Sequence, residues 1–307
     1  MNEVPTVRRD RSSDLSVAQL HTFRLVIRHG GYAAAARASD LSVPSVWQHV
    51  QALERLYGTK LFTRVGRMVQ PTEAAQRLYE QVDPILVQLE STFDAVQATS
   101  AKAPIRVVAG VRMMMEDLAE PLATFRRNHS NPLTIQQGNE RVAEELLLAD
   151  KADIAMTLEP GVKQDSPLIH YEPAYTVRFF AVTAKSHPYA KSRSNSLDEL
   201  AKHALVVTST GTHGRDALDQ AFHREGLTAD ISIETDNSAF TIACVAAGMG
   251  VGVLAGRSEG NLREKLATRC LGKQLGQRRI VFMWRKGRLL ASPLLDLIDE
   301  VKRLDET

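Results

Sequence analysis

Residues 41–64, LSVPSVWQHVQALERLYGTKLFTR, read as one amphipathic helix that leads into a β-hairpin. Ser42 is a favourable N-cap, and Pro44 falls in the first turn, where a missing N–H costs nothing. Gly58 is well suited to end the helix, because it adopts the left-handed conformation without strain. Apolar residues recur between these ends at helical spacing: Val46, Val50 and Leu53. The stretch therefore predicts a helix with one buried face and one polar face.

The segments around this helix predict a helix-turn-helix. Before it lies an alanine-rich helix at 33–38, and residues 39–42 supply the tight turn between the two. The helix that precedes both has one apolar stripe: Leu20, Phe23, Val26 and Ile27. After the helix that ends at Gly58, the short apolar segments 61–62 and 68–69 flank Gly66. They predict a two-stranded wing, with Arg64 and Arg67 near its tip.

This pattern resembles the amino-terminal domain of the LysR-type transcriptional regulators. The residues that carry the resemblance are Leu20, Phe23, Gly30, Ala35, Ala36, Leu41, Ser42, Pro44, Val46, Val50, Leu53, Glu54, Gly58, Leu61, Phe62, Arg64, Val69 and Thr72. The resemblance implies a winged helix-turn-helix that binds double-stranded operator DNA. The alternative is an ordinary helical subdomain without a nucleic-acid partner.

The surface expected to face DNA departs from the family at several positions. The family usually has a polar residue where this chain has Val43, a Ser where it has Trp47, and a Ser or Thr where it has Ala33. Each change loses a hydrogen bond to a phosphate or a base edge, so the family's operator preference does not transfer. Trp47 faces the groove in one interpretation and packs on the first helix in the other. The predicted DNA-binding residues are Ser42, Val43, Ser45, Trp47, Gln48, Gln51, Arg55, Arg64 and Arg67.

The charge of the chain is concentrated at this end. Residues 1–72 contain ten Lys or Arg against five Asp or Glu, although the whole chain of 307 residues has a net charge of only +2. The arginines near the start are not followed by an apolar core, and the uncharged stretch 241–256 is too short to span a membrane. We therefore expect a cytoplasmic protein without a membrane partner.

A long helix is predicted from 72 to 99. Its apolar residues form an approximate heptad stripe: Leu78, Val82, Ile85, Leu89, Phe93 and Val96. Either the chain's own body covers this stripe or, as the resemblance implies, a second copy does so in a homodimer or homotetramer. Pro84 should kink or loosen the helix. The predicted domains are an N-terminal extension at 1–14, a winged helix-turn-helix domain at 15–72, a linker helix at 73–101 and an effector-binding domain at 102–307.

Beyond 104, strands and helices alternate, which predicts a doubly wound α/β domain. The predicted strands are 105–109, 133–137, 154–156, 179–182, 205–208, 231–234, 250–254 and 280–284, and the predicted helices are 115–127, 142–149, 214–225, 240–247 and 294–304. The resemblance implies a two-lobed effector-binding domain, akin to periplasmic binding proteins, with the ligand in the cleft. Lobe I is expected at about 104–168 and 268–307, and lobe II at about 169–267.

Ligands of open α/β folds bind beyond the carboxyl ends of strands, near helix N-termini. The hydroxyl-rich segment 208–214 suits a carboxylate, sulfate or phosphate, with Arg112 as a counter-charge from across the cleft. Alternatively, these hydroxyls only cap a helix. The predicted effector-binding residues are Val111, Arg112, Met113, Thr157, Thr208, Ser209, Thr210, Thr212 and Asn237.

No catalytic set, metal site or cofactor is predicted. The segment 250–255 has the glycine spacing of a dinucleotide loop, but it follows a helix and leads into a strand, the reverse of the required order. The sequence thus predicts a non-enzymatic transcriptional regulator that binds DNA and a small anionic effector, with RNA polymerase as a further candidate partner. The rival interpretations are a solute-binding protein, a cytosolic α/β enzyme, and a regulator whose effector cleft has become vestigial.

Overall fold

The computed structural model describes residues 14–66, 68–96, 103–161, 165–257 and 260–305. Arg67, most of the predicted N-terminal extension and the end of the predicted linker helix at 97–101 lie outside these residues. The chain divides into two compact units, which are residues up to 96 together with 286–289, and the remainder. Among the described residues, no helix is both long and apolar enough to cross a membrane.

The first unit is a helix-turn-helix followed by a wing and a long helix. Its elements are α1 Val17–His29, α2 Tyr32–Ser39, α3 Val43–Tyr57, β1 Phe62–Val65, β2 Met68–Pro71 and α4 Glu73–Val96. The hydroxyl of Ser42 accepts the N–H of Ser45 at 3.2 Å and so caps α3. Gly58 ends the same helix at φ 65°, a left-handed conformation that glycine adopts without strain. The predicted helix and wing are therefore confirmed.

The core of this unit forms where the apolar faces of its helices meet the wing. The ring of Phe23 on α1 lies 5.8 Å from that of Phe62 on β1, which ties the first helix to the wing. The other side chains at the centre are fully buried: Val26, Val46, Val50, Leu53 and Leu61. Apart from Leu61 beside the wing, these are the positions that the helical spacing marked as apolar, so the pattern correctly identified the buried faces of the helices.

The long helix α4 is attached to α1 by ionic contacts. The carboxylate of Asp83 is completely buried, with Arg28 Nη2 at 3.3 Å and Arg24 Nη1 at 4.0 Å. Arg24 also forms an ion pair with Glu90. The helix continues through Pro84, which removes one backbone donor but does not end it.

The second unit is an α/β domain. Its strands are β3 Ile105–Ala109, β4 Leu133–Gln137, β5 Ile154–Leu158, β6 Ile169–Ala184, β7 Leu205–Thr208, β8 Ile231–Thr235, β9 Val251–Gly256, β10 Leu266–Cys270 and β11 Gln277–Arg285. Its helices are α5 Val111–Met113, α6 Ala119–Asn128, α7 Glu140–Leu148, α8 Pro188–Lys191, α9 Leu197–Leu200, α10 His213–Arg224, α11 Ser238–Ala246, α12 Gly260–Lys265, α13 Gly272–Leu275 and α14 Ser292–Lys302. A π-helical segment, Met114–Leu118, joins α5 to α6.

The sheet contains two groups of parallel strands. One group has the order β4, β3, β5 and the other has β9, β7, β8. The antiparallel strands β11 and β6 connect them, and β10 pairs with the end of β6. Helices cover the faces of the sheet, and buried Val, Leu, Ile and Phe side chains fill the space between.

Strand β6 changes its pairing partner along its length. Its residues 169–178 pair with β11, whereas 178–182 pair with β9. The pairing partner of β6 therefore changes near Arg178, whereas the boundary between the lobes is expected at about 169. On the return path β10 pairs with β6 as far as Cys270, so the boundary predicted between 267 and 268 falls within a strand.

Strand β6 begins at Ile169, ten residues before the strand predicted at 179–182, and a second difference from the predicted elements lies at the first helix of this unit. We expected a helix from 115, but α5 begins at Val111 directly after β3, and the π-helical segment continues it into α6. Arg112 and Met113 are therefore helical residues. The strand β10 and the short helices α8, α9, α12 and α13 were not predicted, because four to six residues carry too little periodicity to identify an element.

Candidate nucleic-acid interface and ligand cavity

The outward face of α3 carries the residues predicted to contact DNA. Val43, Trp47, Gln48 and Arg55 are exposed on it, while the opposite face supplies the core. Ser45 is half-buried, and its hydroxyl lies 2.8 Å from that of the capping Ser42. The helix thus presents a mixed apolar and polar face to solvent, as sequence readout in a major groove requires.

Trp47 lies beside the wing. Its side chain remains 48% exposed. It borders a recess of about 140 Å³ whose other lining residues come from α2, α3 and the wing: Tyr32, Gln51, Glu54, Lys60, Phe62, Thr63, Arg64 and Val69.

Gln51 is engaged within the protein. Its Nε2 donates to Glu54 Oε2 at 2.9 Å, and its Oε1 accepts from Lys60 Nζ at 3.5 Å. Glu54 in turn accepts the backbone N–H groups of Leu61 and Phe62 at 2.9 and 3.3 Å. Gln51 is predicted to bind DNA, and in the structure its amide also belongs to the network that holds the start of the wing against α3.

The wing places Arg64 in solvent. Arg64 lies on β1, pairs in register with Val69 on β2, and is exposed. An exposed guanidinium on a wing is suited to phosphate contact, which positions a protein on DNA without reading its sequence. Arg67, the other predicted wing residue, lies outside the described residues.

A cavity of about 160 Å³ lies in the second unit where parallel strands from both groups end. Residues at or just beyond these ends line it: Gly110 after β3, Gln137 on β4, Leu158 on β5, Thr208 on β7, Asp236 after β8 and Gly256 on β9. This is the location that the strand-end rule predicted. Its apolar wall includes Val111, Met113, Met156, Val177, Phe179, Val253 and Ile280.

Helix N-termini surround the cavity. Asn139, Thr212 and Asn237 cap α7, α10 and α11, accepting backbone N–H groups with their side-chain oxygens. Helix α5 differs because its N-cap is Gly110, which has no side chain. The first N–H groups of a helix have no acceptor within it, so the start of α5 offers donors to a ligand.

Arg112, the cationic residue predicted for the effector site, lies at the cavity. Its guanidinium lines the cavity and forms an ion pair with Glu116 at 2.6 Å. It also lies over Gly256, where a Cβ atom would come within 3.0 Å of Arg112 Nη1. The glycine therefore allows the guanidinium to approach the end of β9.

Asp117 is the principal residue that sequence reasoning missed. It lies in the π-helical segment and lines the cavity. Its Oδ2 accepts the hydroxyl of Tyr175 at 2.8 Å, and Arg257 Nη1 is 3.9 Å from Oδ1. Burial raises the pKa of Asp117 although the Tyr175 hydrogen bond and the charges of Arg112 and Arg257 lower it. Burial, together with the charge of Asp117, also raises the pKa of Tyr175 well above its usual value.

Glu140 adds a second carboxyl to the lining. It is the first residue of α7, and its Oε1 lies 3.9 Å from His213 Nδ1. His213 is itself held by a 2.7 Å hydrogen bond to the carbonyl of Leu158. Burial is the main cause of the raised pKa of Glu140. Because Glu140 follows the end of β4, the strand-end rule applied to every predicted strand would have found it.

The predicted hydroxyls divide into two groups. Thr208 and Thr212 line the cavity, with their hydroxyls 3.1 Å apart. Ser209 donates its hydroxyl to the carbonyl of Thr235 at 2.9 Å, and Thr210 is exposed on the turn, so neither lies among the lining residues. Thr157 contributes to the lining, but its buried hydroxyl donates to Met283 Sδ at 3.0 Å. The structure thus gathers Val111, Arg112, Met113, Thr157, Thr208, Thr212 and Asn237 around one cavity.

Comparisons with known proteins match both the helix-turn-helix region and the α/β domain to one family. Residues 17–76 match the family described as "Bacterial regulatory helix-turn-helix protein, lysR family", and residues 99–305 match the "LysR substrate binding domain". The transcriptional regulator CysB of Burkholderia cenocepacia is 28% identical over 244 residues, which cover 77% of each chain. The RuBisCO operon transcriptional regulator of Allochromatium vinosum is 26% identical over 246 residues, 78% of this chain and 80% of that one.

A solved structure shows the same fold. HinK, a LysR family transcriptional regulator from Pseudomonas aeruginosa, aligns with a TM-score of 0.56 at 20% identity, over 94% of this chain and 98% of HinK. The predicted fold class, an α/β effector-binding domain after a winged helix-turn-helix and a long linker helix, is confirmed. The family is non-enzymatic. The chain belongs to the LysR family and is a DNA-binding transcriptional regulator with an effector-binding domain.

Proposed function

We propose that this regulator reads its operator with the exposed face of α3 and the wing, and that it responds to a small organic anion in the cavity of its second unit. The observation that supports the second part best is the convergence of strand ends, the uncapped start of α5 and Arg112 on one cavity. These groups provide N–H donors, a positive helix end and a guanidinium, which together suit a carboxylate.

Trp47 sets the base preference in this proposal. Trp47→Ser should change which operator bases matter while lowering the free energy of unfolding by less than about 1 kcal/mol, because the indole is half-exposed. Truncation of a buried aromatic side chain would instead cost about 3 to 5 kcal/mol. Selection from random DNA, together with thermal denaturation of both proteins, measures the two effects.

Tyr57→Ser is the matched control for this experiment. Tyr57 is a similarly exposed aromatic residue at the other end of α3, and its loss should leave the selected sequences unchanged. Unaltered base preference in Trp47→Ser, accompanied by a large loss of stability, would refute the groove-facing role of Trp47.

Arg112 is the cation of the proposed effector site. Organic carboxylates, sulfate and phosphate should be screened for an increase in melting temperature, since a ligand that binds the folded state stabilises it. In Arg112→Gln the best hit should bind about ten- to a hundredfold more weakly, because a hydrogen bond to a charged group contributes about 1.5 to 3 kcal/mol. Calorimetric titration measures the affinity.

Arg141→Gln is the control for Arg112. Arg141 forms the same kind of ion pair one turn apart, with Glu145 at 2.7 Å, but it is exposed and lies outside the cavity lining. Equal affinity of the anion for wild type and Arg112→Gln would remove Arg112 from the site. If no anion stabilises the wild-type protein, the regulator with a vestigial cleft becomes the better interpretation.

The exposed face of α4 supports a homodimer. The predicted apolar stripe divides in the structure, because Val82 is buried whereas the later members are exposed: Ile85, Leu89, Phe93 and Val96. An exposed apolar row on a helix is typical of a surface covered by another copy.

Phe93→Glu should therefore shift the protein toward monomer in size-exclusion chromatography with light scattering. Gln88→Glu, on an exposed polar position of the same helix, should not, and equal masses for the two variants would argue against this interface.

A further inference from the structure

The cavity offers more hydrogen-bond acceptors than an anion alone can use. Asp117 lines it with a carboxylate whose Oδ2 receives one hydrogen bond, from Tyr175, which leaves further lone pairs on both oxygens. The carboxyl of Glu140 and the exposed carboxylate of Asp236 also belong to the lining. A bare carboxylate ligand has no proton to donate to any of them.

Thr208 faces the cavity as an acceptor as well. Thr212 donates its single hydroxyl proton to the carbonyl of Ser209 at 2.9 Å. The 3.1 Å contact between the hydroxyls of Thr208 and Thr212 is then donated by Thr208. With its proton used in this way, Thr208 Oγ1 retains only lone pairs for a ligand. Hydrogen-bond acceptors therefore line the cavity at two places: Asp117 on the π-helical segment and Thr208 at the end of β7.

The backbone around Asp117 is unusual. The π-helical segment Met114–Leu118 interrupts an otherwise α-helical stretch within two turns of the uncapped start at Gly110. Single π-turns inside helices occur frequently at functional sites, because the extra residue redirects nearby side chains. Here the segment carries the carboxyl that lines the cavity, next to the donors proposed for the anion.

We propose that the effector is a small hydroxycarboxylic acid, whose carboxylate lies at the start of α5 beside Arg112 and whose hydroxyl donates to Asp117. This inference rests on the proposed anion site and specifies the ligand class. A hydroxyl fits better than an ammonium because the guanidiniums of Arg112 and Arg257 both act on the charge of Asp117 and would repel a third cation. The cavity of about 160 Å³ has room for roughly ten non-hydrogen atoms.

Matched ligand sets test this proposal on the full chain. The sets are propionate, lactate and alanine; succinate, malate and aspartate; and phenylacetate, mandelate and phenylglycine. In the set that fits the cavity, the hydroxy acid should bind wild type at least about tenfold more tightly than its unsubstituted partner, the typical effect of one hydrogen bond to a charged group. Thermal shift finds the set, and calorimetric titration gives the affinities.

Variants then assign the preference to Asp117. Asp117→Ala should bind the hydroxy acid and its unsubstituted partner equally well, whereas Asp236→Ala should keep the preference of wild type. If Asp117→Ala does not fold, Asp117→Asn keeps the side-chain volume but replaces one accepting oxygen with a donor, and should also lose most of the preference. Circular dichroism checks the fold of each variant.

The outcomes separate this inference from the proposed anion site. If unsubstituted carboxylates bind wild type as tightly as the hydroxy acids, or if the amino acids bind best, the hydroxyl assignment is overturned while the anion site stands. A hydroxyl preference that persists in Asp117→Ala overturns the role of Asp117. If no carboxylate of any set stabilises the protein, this inference fails, and the anion site fails with it when sulfate and phosphate also leave the melting temperature unchanged.

Discussion

Asp83→Ala should lower the free energy of unfolding of the amino-terminal unit by about 3 to 5 kcal/mol, the cost of removing one partner from a buried ion pair. The Asp83 carboxylate is fully buried on α4 and lies between the guanidiniums of Arg24 and Arg28 on α1. Its loss leaves two cations against each other at the junction of the two helices. Arg24 is itself almost completely buried, so water cannot fully replace the missing carboxylate.

The two tryptophans of the chain allow this effect to be measured in the first unit alone. Trp47 belongs to the first unit and Trp284 to the second. In a Trp284→Phe background, the urea dependence of the remaining tryptophan fluorescence reports unfolding around Trp47, which avoids treating a two-unit chain as one transition.

Glu73→Ala provides the control for Asp83. Glu73 forms an ion pair with Arg77 on the same helix, but both side chains are largely exposed, so its removal should cost less than about 1 kcal/mol. If Asp83→Ala were no more destabilising than Glu73→Ala, the buried ionic contact would not be what attaches α4 to α1.

Sequence patterns predicted the first unit well because its elements carry strong local signals. Ser42 and Gly58 mark the ends of α3 by capping chemistry, and the spacing of Val46, Val50 and Leu53 marks its buried face. These signals involve residues within one or two helical turns of each other. They cannot show where a polar side chain points, so the hydrogen bond from the Gln51 amide to Glu54 was not predicted.

A cavity lies where the strand-end rule placed the candidate ligand site, but only part of its lining was predicted. Strand ends can be located from buried apolar runs, and the residues that follow them were therefore found at Gly110, Thr208 and Asn237. Asp117 was missed because it lies inside a helix, where sequence alone gives no sign of a π-turn. Its contacts with Tyr175 and Arg257 join segments far apart in the chain, and such pairings depend on the assembled sheet.

Glu54 should link the stability of the wing to pH. Burial by itself would raise the pKa of Glu54, but the hydrogen bonds from Lys60 and from the backbone of Leu61 and Phe62 outweigh it and lower the pKa below its ordinary value of 4.5. A carboxylate whose pKa is lower in the folded state stabilises that state above the ordinary value. The stabilisation is lost as the pH falls through the lower, folded-state pKa.

Glu54→Gln should therefore be less stable than wild type at pH 7 by about 2 to 4 kcal/mol, because a neutral amide offers one accepting oxygen where the carboxylate receives four donors. The difference should shrink as the pH falls below 4.5 and then through the lower folded-state pKa of Glu54, where folded wild type also loses this charge. Denaturant titrations of Trp47 fluorescence between pH 3.5 and 7, in the Trp284→Phe background, measure it.

The same substitution should weaken DNA binding, because Glu54 holds the start of the wing against α3 through the N–H groups of Leu61 and Phe62. Gln51→Ala removes one donor to Glu54 but leaves these backbone bonds in place, so it should lower the free energy of unfolding by no more than about 1 kcal/mol. A stability difference between Glu54→Gln and wild type that stayed constant down to pH 3.5 would show that the loss comes from altered packing and not from the carboxylate charge. If the difference instead shrinks as predicted while DNA affinity at pH 7 falls, the buried charge of Glu54 is what fixes the wing beside the recognition helix.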